Sequence, residues 1–162
     1  MKDFTKYLSK IRTHEERETL QEEINLVRQA LYKTSTPFEE VLSLKLRSWV
    51  SEELTRDLVN LDTEQRNAYL SQLSEFLNSL TEISLSVSRE LSQTGTQRVS
   101  DWVRENLNKE SLLKLEIEPS VLGGVILVYG GFYCDFSLRK KIEDFFAQEK
   151  NEILKILDSQ KA

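Results

Sequence analysis

The stretch Glu118–Ser137, EPSVLGGVILVYGGFYCDFS, holds four of the five glycines and one of the two prolines of a 162-residue chain. Its centre, VILVY, is apolar, β-branched and bounded by two Gly-Gly pairs, the pattern of a strand rather than a helix. Val121 to Tyr129 is therefore expected as a buried central strand. Gly130-Gly131 predicts a two-residue hairpin turn, because glycine takes positive φ without steric cost. Phe132 to Asp135 is the short return strand. Ser137 then caps a last helix, with Leu138, Ile142, Phe145, Phe146, Ile153 and Leu157 at helical spacing.

Working outward, two more segments alternate. In EISLSVS, from Glu82, the residues Ile83, Leu85 and Val87 point one way and serines the other. LLKLEIE, Leu112 to Glu118, does the same. Both read as strands. Ser92 and Thr94 open a helix between them, through Val99, Trp102, Val103 and Leu107. Residues 81–162 thus form a β-α-β-β-β-α module. Residues 1–80 read as helical throughout. Phe4, Leu8, Ile11, Leu20, Ile24, Val27 and Leu31 recur at helical spacing, interrupted by a polar run, Arg12 to Thr19, where the helix is either exposed or broken. Thr36-Pro37-Phe38-Glu39 has the form of a capping box with proline at the first helical position. It starts a helix expected to run to Leu58. Asp62-Thr63-Glu64-Gln65 starts another. The expected class is α+β: about three helices in 1–80, then the smaller mixed module.

Composition excludes some functions. Apolar residues make up 39% and charged residues 30%, the balance of a globular chain rather than a disordered one. A net charge of −5 argues against a nucleic-acid partner, since phosphate binding needs a basic surface. The densest basic cluster, Arg139-Lys140-Lys141, is followed by Glu143 and Asp144 and reads as a solvated helix start. No apolar run approaches the roughly 20 residues of a spanning helix, so no direct membrane insertion is expected. The charged N-terminus lacks a signal core, and the expectation is a soluble, intracellular or already processed protein. One cysteine and one histidine cannot build a typical structural zinc site, and no EF-hand loop is present.

Nor does the glycine-rich stretch carry chemistry. A phosphate loop needs Lys-Ser/Thr and a helix after its glycines, whereas Gly123-Gly124 runs into VILVY. A cysteine nucleophile needs a base nearby, and His14, the one histidine, lies far off on a charged helix face. Cys134 reads as a small apolar strand residue. The carboxylate pairs, such as Glu22-Glu23 and Glu52-Glu53, are adjacent on helices and do not face each other. No catalytic residue and no cofactor is expected. Structurally, Gly123-Gly124 allows a bend or bulge, or a close approach of another segment to bare backbone.

The order of features from Glu82 onward resembles the C-terminal domain of the delta subunit of F-type ATP synthases, whose mitochondrial equivalent is the oligomycin sensitivity-conferring protein. That family runs strand, helix, strand, then Asp-Pro-Ser-Leu-Ile-Gly-Gly, a Val/Ile strand, Gly-Asp, a short strand, Asp-Gly-Ser and a helix. This chain has Glu118-Pro119-Ser120-Val121-Leu122-Gly123-Gly124, VILVY, Gly130-Gly131, FYC and Asp135-Phe136-Ser137. It departs at Gly131, where the family has Asp, and at Phe136, where it has Gly. The family's helical domain has six helices in about 105 residues, against about 80 residues here. The resemblance implies a stator, or peripheral-stalk, subunit of a proton- or sodium-translocating ATP synthase. It implies no catalysis and no cofactor. The implied partners are the alpha subunits of the catalytic head, held by the helical domain, and the b subunits of the stalk, held by the C-terminal domain. The implied location is the cytoplasmic face of the bacterial plasma membrane, or an organelle matrix or stroma after processing.

Apolar residues in excess of one narrow stripe make the last helix the main partner-binding candidate, through Phe145, Phe146, Ile153, Leu154 and Leu157. Leu8, Ile11 and Trp49 are candidates on the helical module, where grooves between short helices accept a partner helix. The alternative is a free-standing helical adaptor or scaffold with a small α+β cap.

Overall fold

The computed structural model describes residues 4–32 and 38–159, with side chains described as far as Lys150. Its elements are α1 (Thr5–Leu8), α2 (His14–Ala30), α3 (Phe38–Leu44), α4 (Ser48–Leu58), α5 (Thr63–Ser79), β1 (Thr81–Val87), α6 (Gln93–Asn106), β2 (Ser111–Ile117), β3 (Val125–Tyr129), β4 (Phe132–Asp135) and α7 (Leu138–Ser159). They group into a helical unit, Met1–Thr81 with Val103–Leu112, and a sheet unit, Glu82–Trp102 with Leu113–Ala162. The class is the expected α+β. The division is not one cut in the sequence, because the end of α6 and the start of β2 cluster with the helical unit.

Among the described residues the helical unit has five helices ahead of the first strand, not the expected three. The polar run breaks the first long helix. Thr13 caps α2: its Oγ1 accepts the Glu16 N–H at 3.3 Å, and Glu16 reaches back to the Thr13 N–H at 3.3 Å. A second break, at residues 45–47, separates α3 from α4, and its cause is tertiary. Arg47, the N-cap of α4, offers no side-chain cap of its own. Glu23 on α2, only 6% exposed, accepts the Arg47 N–H at 2.8 Å and the guanidinium at 2.7 Å through its second oxygen. A carboxylate from another helix therefore does the work of a cap, and its charge suits the positive end of α4. The expected Thr36-Pro37 start of α3 lies outside the described residues. The Asp62–Gln65 capping box forms as expected, with Gln65 N–H donating to Asp62 at 2.8 Å.

Helices α2 and α5 run antiparallel, since Gln21 donates to Ser74 while Arg28 donates to Asn67 at 3.4 Å. Their apolar faces, Leu20, Ile24 and Val27 with Leu70, Leu73 and Leu77, meet in one core with Val50, Leu54 and Leu58 of α4. The single turn of α1 inserts Phe4, Tyr7 and Leu8 into the same core. Phe4 packs edge-on against Tyr69, with ring centroids 5.4 Å apart. Arg104 closes the unit: its Nη2 donates to the Ile11 carbonyl at 2.8 Å and its Nε to the Ser111 carbonyl at 3.2 Å.

The sheet has strand order β2-β1-β3-β4. Thr81 N–H bonds to the Glu110 carbonyl, and Glu118 N–H to the Val87 carbonyl. Both ends of β1 thus meet the matching ends of β2, so the two run parallel with α6 as the crossover. The β1–β3 and β3–β4 pairs are antiparallel. Register places Leu85, Leu127 and Cys134 on one face, and Ser84, Val128 and Tyr133 on the other. Ile83, Leu85 and Val87 are buried, as their alternation predicts. Val128 and Tyr133 are exposed. The central strand is shorter than expected: it begins at Val125, and Val121–Gly124 is a turn. The Gly130-Gly131 hairpin forms as read, with φ of +56° and +82°.

Candidate partner-binding surface

The sequence Asp135-Phe136-Ser137 launches α7. Asp135 accepts the Ser137 N–H at 2.8 Å, and the Ser137 hydroxyl accepts the Lys140 N–H at 3.2 Å. The turn closes although Phe136 stands where the resemblance has glycine. No described non-glycine residue takes positive φ, so the turn needs none there. Ser137 itself is 3% exposed.

The Ser137 side chain and then its backbone N–H, with the Lys140 and Arg139 cations near, hold the Asp135 carboxyl below the ordinary aspartate value of 3.8. A carboxyl depressed in the folded chain contributes stability that is present above its unfolded pKa and is lost as pH falls through its folded pKa. The first turn of α7 is therefore expected to loosen in acid. In NMR titration, the Asp135 carboxyl should titrate with a midpoint below 3.8, with the Ser137 amide shifting in step. Asp135→Asn should abolish that shift. A midpoint at or above the ordinary value would remove this role.

Every side chain from Leu138 to Gln148 is exposed. The apolar ones form one stripe: Leu138 is 52% exposed, Ile142 46%, Phe145 58% and Phe146 56%. Phe145 and Phe146 contact each other edge-to-face, centroids 5.8 Å apart. Arg139, Lys140, Glu143 and Asp144 occupy the rest of the helix, with Lys140 paired to Asp144 at 2.7 Å. An amphipathic helix whose apolar face is left about half exposed offers area that covering would bury. The α7 backbone continues through Ile153, Leu154 and Leu157, whose side chains lie outside the described residues. Leu122 and Phe136, each about half exposed, extend the apolar surface around the root of the helix. In the sequence Phe136 marks a departure from the family's glycine, not part of a surface. Its signal was a phenylalanine standing in a turn.

The other expected positions lie elsewhere. Leu8, at 6% exposure, and Ile11, at 0%, are core residues of the helical unit and present no surface to a partner. Spacing alone could not tell a face that meets a partner from one that meets α4 and α5. Trp49 is half-buried against the same core, with the Arg47 guanidinium 5.2 Å from its ring centre. Among the motif residues, Pro119, Ser120, Leu122, Gly123 and Gly124 form the turn before β3, and Gly130 the hairpin.

The sites weighed for catalysis do not converge. His14 sits on the first turn of α2, bonded to Arg17 and 3.0 Å from Glu18. Cys134 is half-buried on β4. Among the described residues no group of three or more His, Cys, Asp or Glu side chains could hold a metal ion. No described helix is long and apolar enough to cross a membrane.

Comparison with known proteins falls on the same region. The family model described as ATP synthase delta (OSCP) subunit matches residues 63–148, from the first residue of α5 into α7 and more than half of the chain. Among solved structures, the chain is similar to one in the cryo-EM structure of the Toxoplasma gondii mitochondrial ATP synthase hexamer. The two share 17% identity over 81% of this chain and 86% of that one, with a TM-score of 0.37. No curated protein matches by sequence.

Proposed function

This chain belongs to the ATP synthase delta (OSCP) subunit family, and from that premise we propose that it ties the catalytic head to the stalk and resists the rotor's torque. Its class is that of a non-catalytic peripheral-stalk subunit. In our reading the helical unit holds the alpha subunits of the head, and α7 holds the b subunits. Its place is peripheral, at the cytoplasmic face of a bacterial plasma membrane, with an organelle matrix or stroma as the alternative. The observation that carries the stalk contact is the stripe of Leu138, Ile142, Phe145 and Phe146, each about half exposed along one face of α7. Apolar area of this kind supplies about 25 cal/mol per Å² once covered, and aromatic anchors carry much of the energy of helix-in-groove contacts.

Copurification tests this reading. A chain tagged at its N-terminus, drawn from gently solubilised membranes of its host, should bring alpha, beta and b subunits in fixed ratio. A chain ending at Ala147 should keep its fold by circular dichroism, keep alpha and beta, and bring down less b, because it retains the Leu138–Phe146 stripe but loses Ile153, Leu154 and Leu157. Recovery of no ATP synthase subunit by the intact, folded full-length chain would favour a free-standing adaptor. Undiminished b recovery by the shortened chain would move the stalk contact off the distal part of α7.

A further inference from the structure

We propose that the loop 119–124 is a socket that fixes the direction in which α7 leaves the sheet, and that Gly124 is its positioning residue. The proposal rests on the stalk-binding reading of α7 for its purpose, but not for its geometry. Three bonds tie the root of α7 to the loop and to β3: Leu138 N–H to the Gly123 carbonyl at 3.1 Å, Phe136 N–H to the Val125 carbonyl at 2.9 Å, and Arg139 Nη2 to the Ser120 carbonyl at 3.5 Å. Val121 in the loop and Ser137 at the root of α7 are 4% and 3% exposed. Gly123 and Gly124 both hold positive φ, +69° and +80°. A Cβ on Gly124 would fall on the Phe136 carbonyl oxygen, well inside contact distance, and 3.0 Å from the Ser137 Cα. Both obstacles are backbone, so neither can swing aside as a side chain would. The two segments touch because position 124 carries only hydrogen.

Direction matters because α7 is long. Its 22 residues span about 33 Å at 1.5 Å per residue. A tilt of about 10° at the root would move the far end by roughly 6 Å over that length, more than any packed helix contact tolerates. A subunit that carries load through this helix needs a stiff root, and three bonds around a close backbone contact supply one.

The test is a distance measurement on the isolated full-length chain, so it needs no partner. In a Cys134→Ser background, spin labels go on Arg98→Cys in α6 and Lys150→Cys in α7, both exposed. Pulsed EPR then reads the distance distribution. Gly124→Ala should shift or broaden it by several ångströms. Gly131→Ala, also at positive φ but with nothing within 4 Å, should leave it unchanged. Should Gly124→Ala fail to fold, Leu138→Pro decides the matter. It deletes the N–H that reaches Gly123, at a first helical position where proline is favoured. A folded Gly124→Ala chain with the parent distribution would overturn the proposal. So would an unchanged distribution in Leu138→Pro where that variant is needed. The copurification above fails or succeeds independently of either result.

Discussion

Asp57→Ala is expected to destabilise the helical unit by about 3 kcal/mol. Asp57, on α4, accepts hydrogen bonds from the Lys6 ammonium at 2.6 Å, the Tyr7 hydroxyl at 2.8 Å and the Tyr69 hydroxyl. Tyr7 is 0% exposed and Tyr69 5%. One carboxylate thus joins α1, α4 and α5. Removing it takes from two buried hydroxyls, which lie 3.5 Å from each other, the charged acceptor they share, at about 1–3 kcal/mol each. Lys6 retains Glu53 at 3.0 Å and some access to water, so its loss adds little. Burial pushes the Asp57 carboxyl up, but the bonds from Lys6, Tyr69 and Tyr7 more than offset this and hold it below the ordinary range. Its contribution is therefore present above the unfolded pKa and lost as pH falls through the folded one. Asp57→Asn keeps an acceptor for the hydroxyls and should cost less than Asp57→Ala. Urea denaturation followed by Trp49 fluorescence in a Trp102→Phe background measures both. Tyr7→Phe with Tyr69→Phe should make a following Asp57→Ala nearly harmless, because no buried hydroxyl then loses its charged acceptor. If the cost of Asp57→Ala were the same in that background, the network would not be what stabilises the unit.

Local chemistry was legible in the sequence, and so was the class it builds. Alternation placed β1 and β2, the Gly130-Gly131 pair placed the hairpin, and Asp62 and Ser137 placed two helix starts. Each of these depends on residues within a few positions of one another. What escaped depends on distant partners. The break before α4 comes from Glu23, 24 residues upstream of Arg47. Nothing within residues 45–47 announces it. Leu8 and Ile11 have the spacing of any amphipathic face, and only the packing of the segment into the helical core shows that they are buried. Gly123-Gly124 was readable as a close approach but not as to what, since Phe136 and Ser137 arrive after the whole β3–β4 hairpin. The surface on α7 was half legible. Its excess of apolar residues was visible, but that the face stays about half exposed is a fact of tertiary structure.

That exposed face leads to the second large effect. Phe145→Ala with Phe146→Ala is expected to lower affinity for an isolated b-subunit fragment by about 100-fold or more, while leaving the melting temperature within about 2 °C of the parent. The two readouts separate because the rings are 58% and 56% exposed and contact each other. Truncating them removes little that folding had buried, and surface changes of this kind cost under about 0.5 kcal/mol. Covered by a partner, the same rings lose the rest of their contact with water. Truncation of a central aromatic anchor costs about 2 kcal/mol or more, and a hundredfold change corresponds to about 2.7 kcal/mol. Because the rings touch, the single variants need not add up to the double one. Phe132→Ala is the control: Phe132 is 74% exposed at the hairpin, off the α7 stripe, and its loss should not change binding. Titration calorimetry on the three chains measures the affinities and differential scanning calorimetry the stabilities. Parent-like binding by the double variant would mean that the stripe is not the stalk contact. A melting temperature lowered by many degrees would mean instead that the two rings belong to the protein's own core.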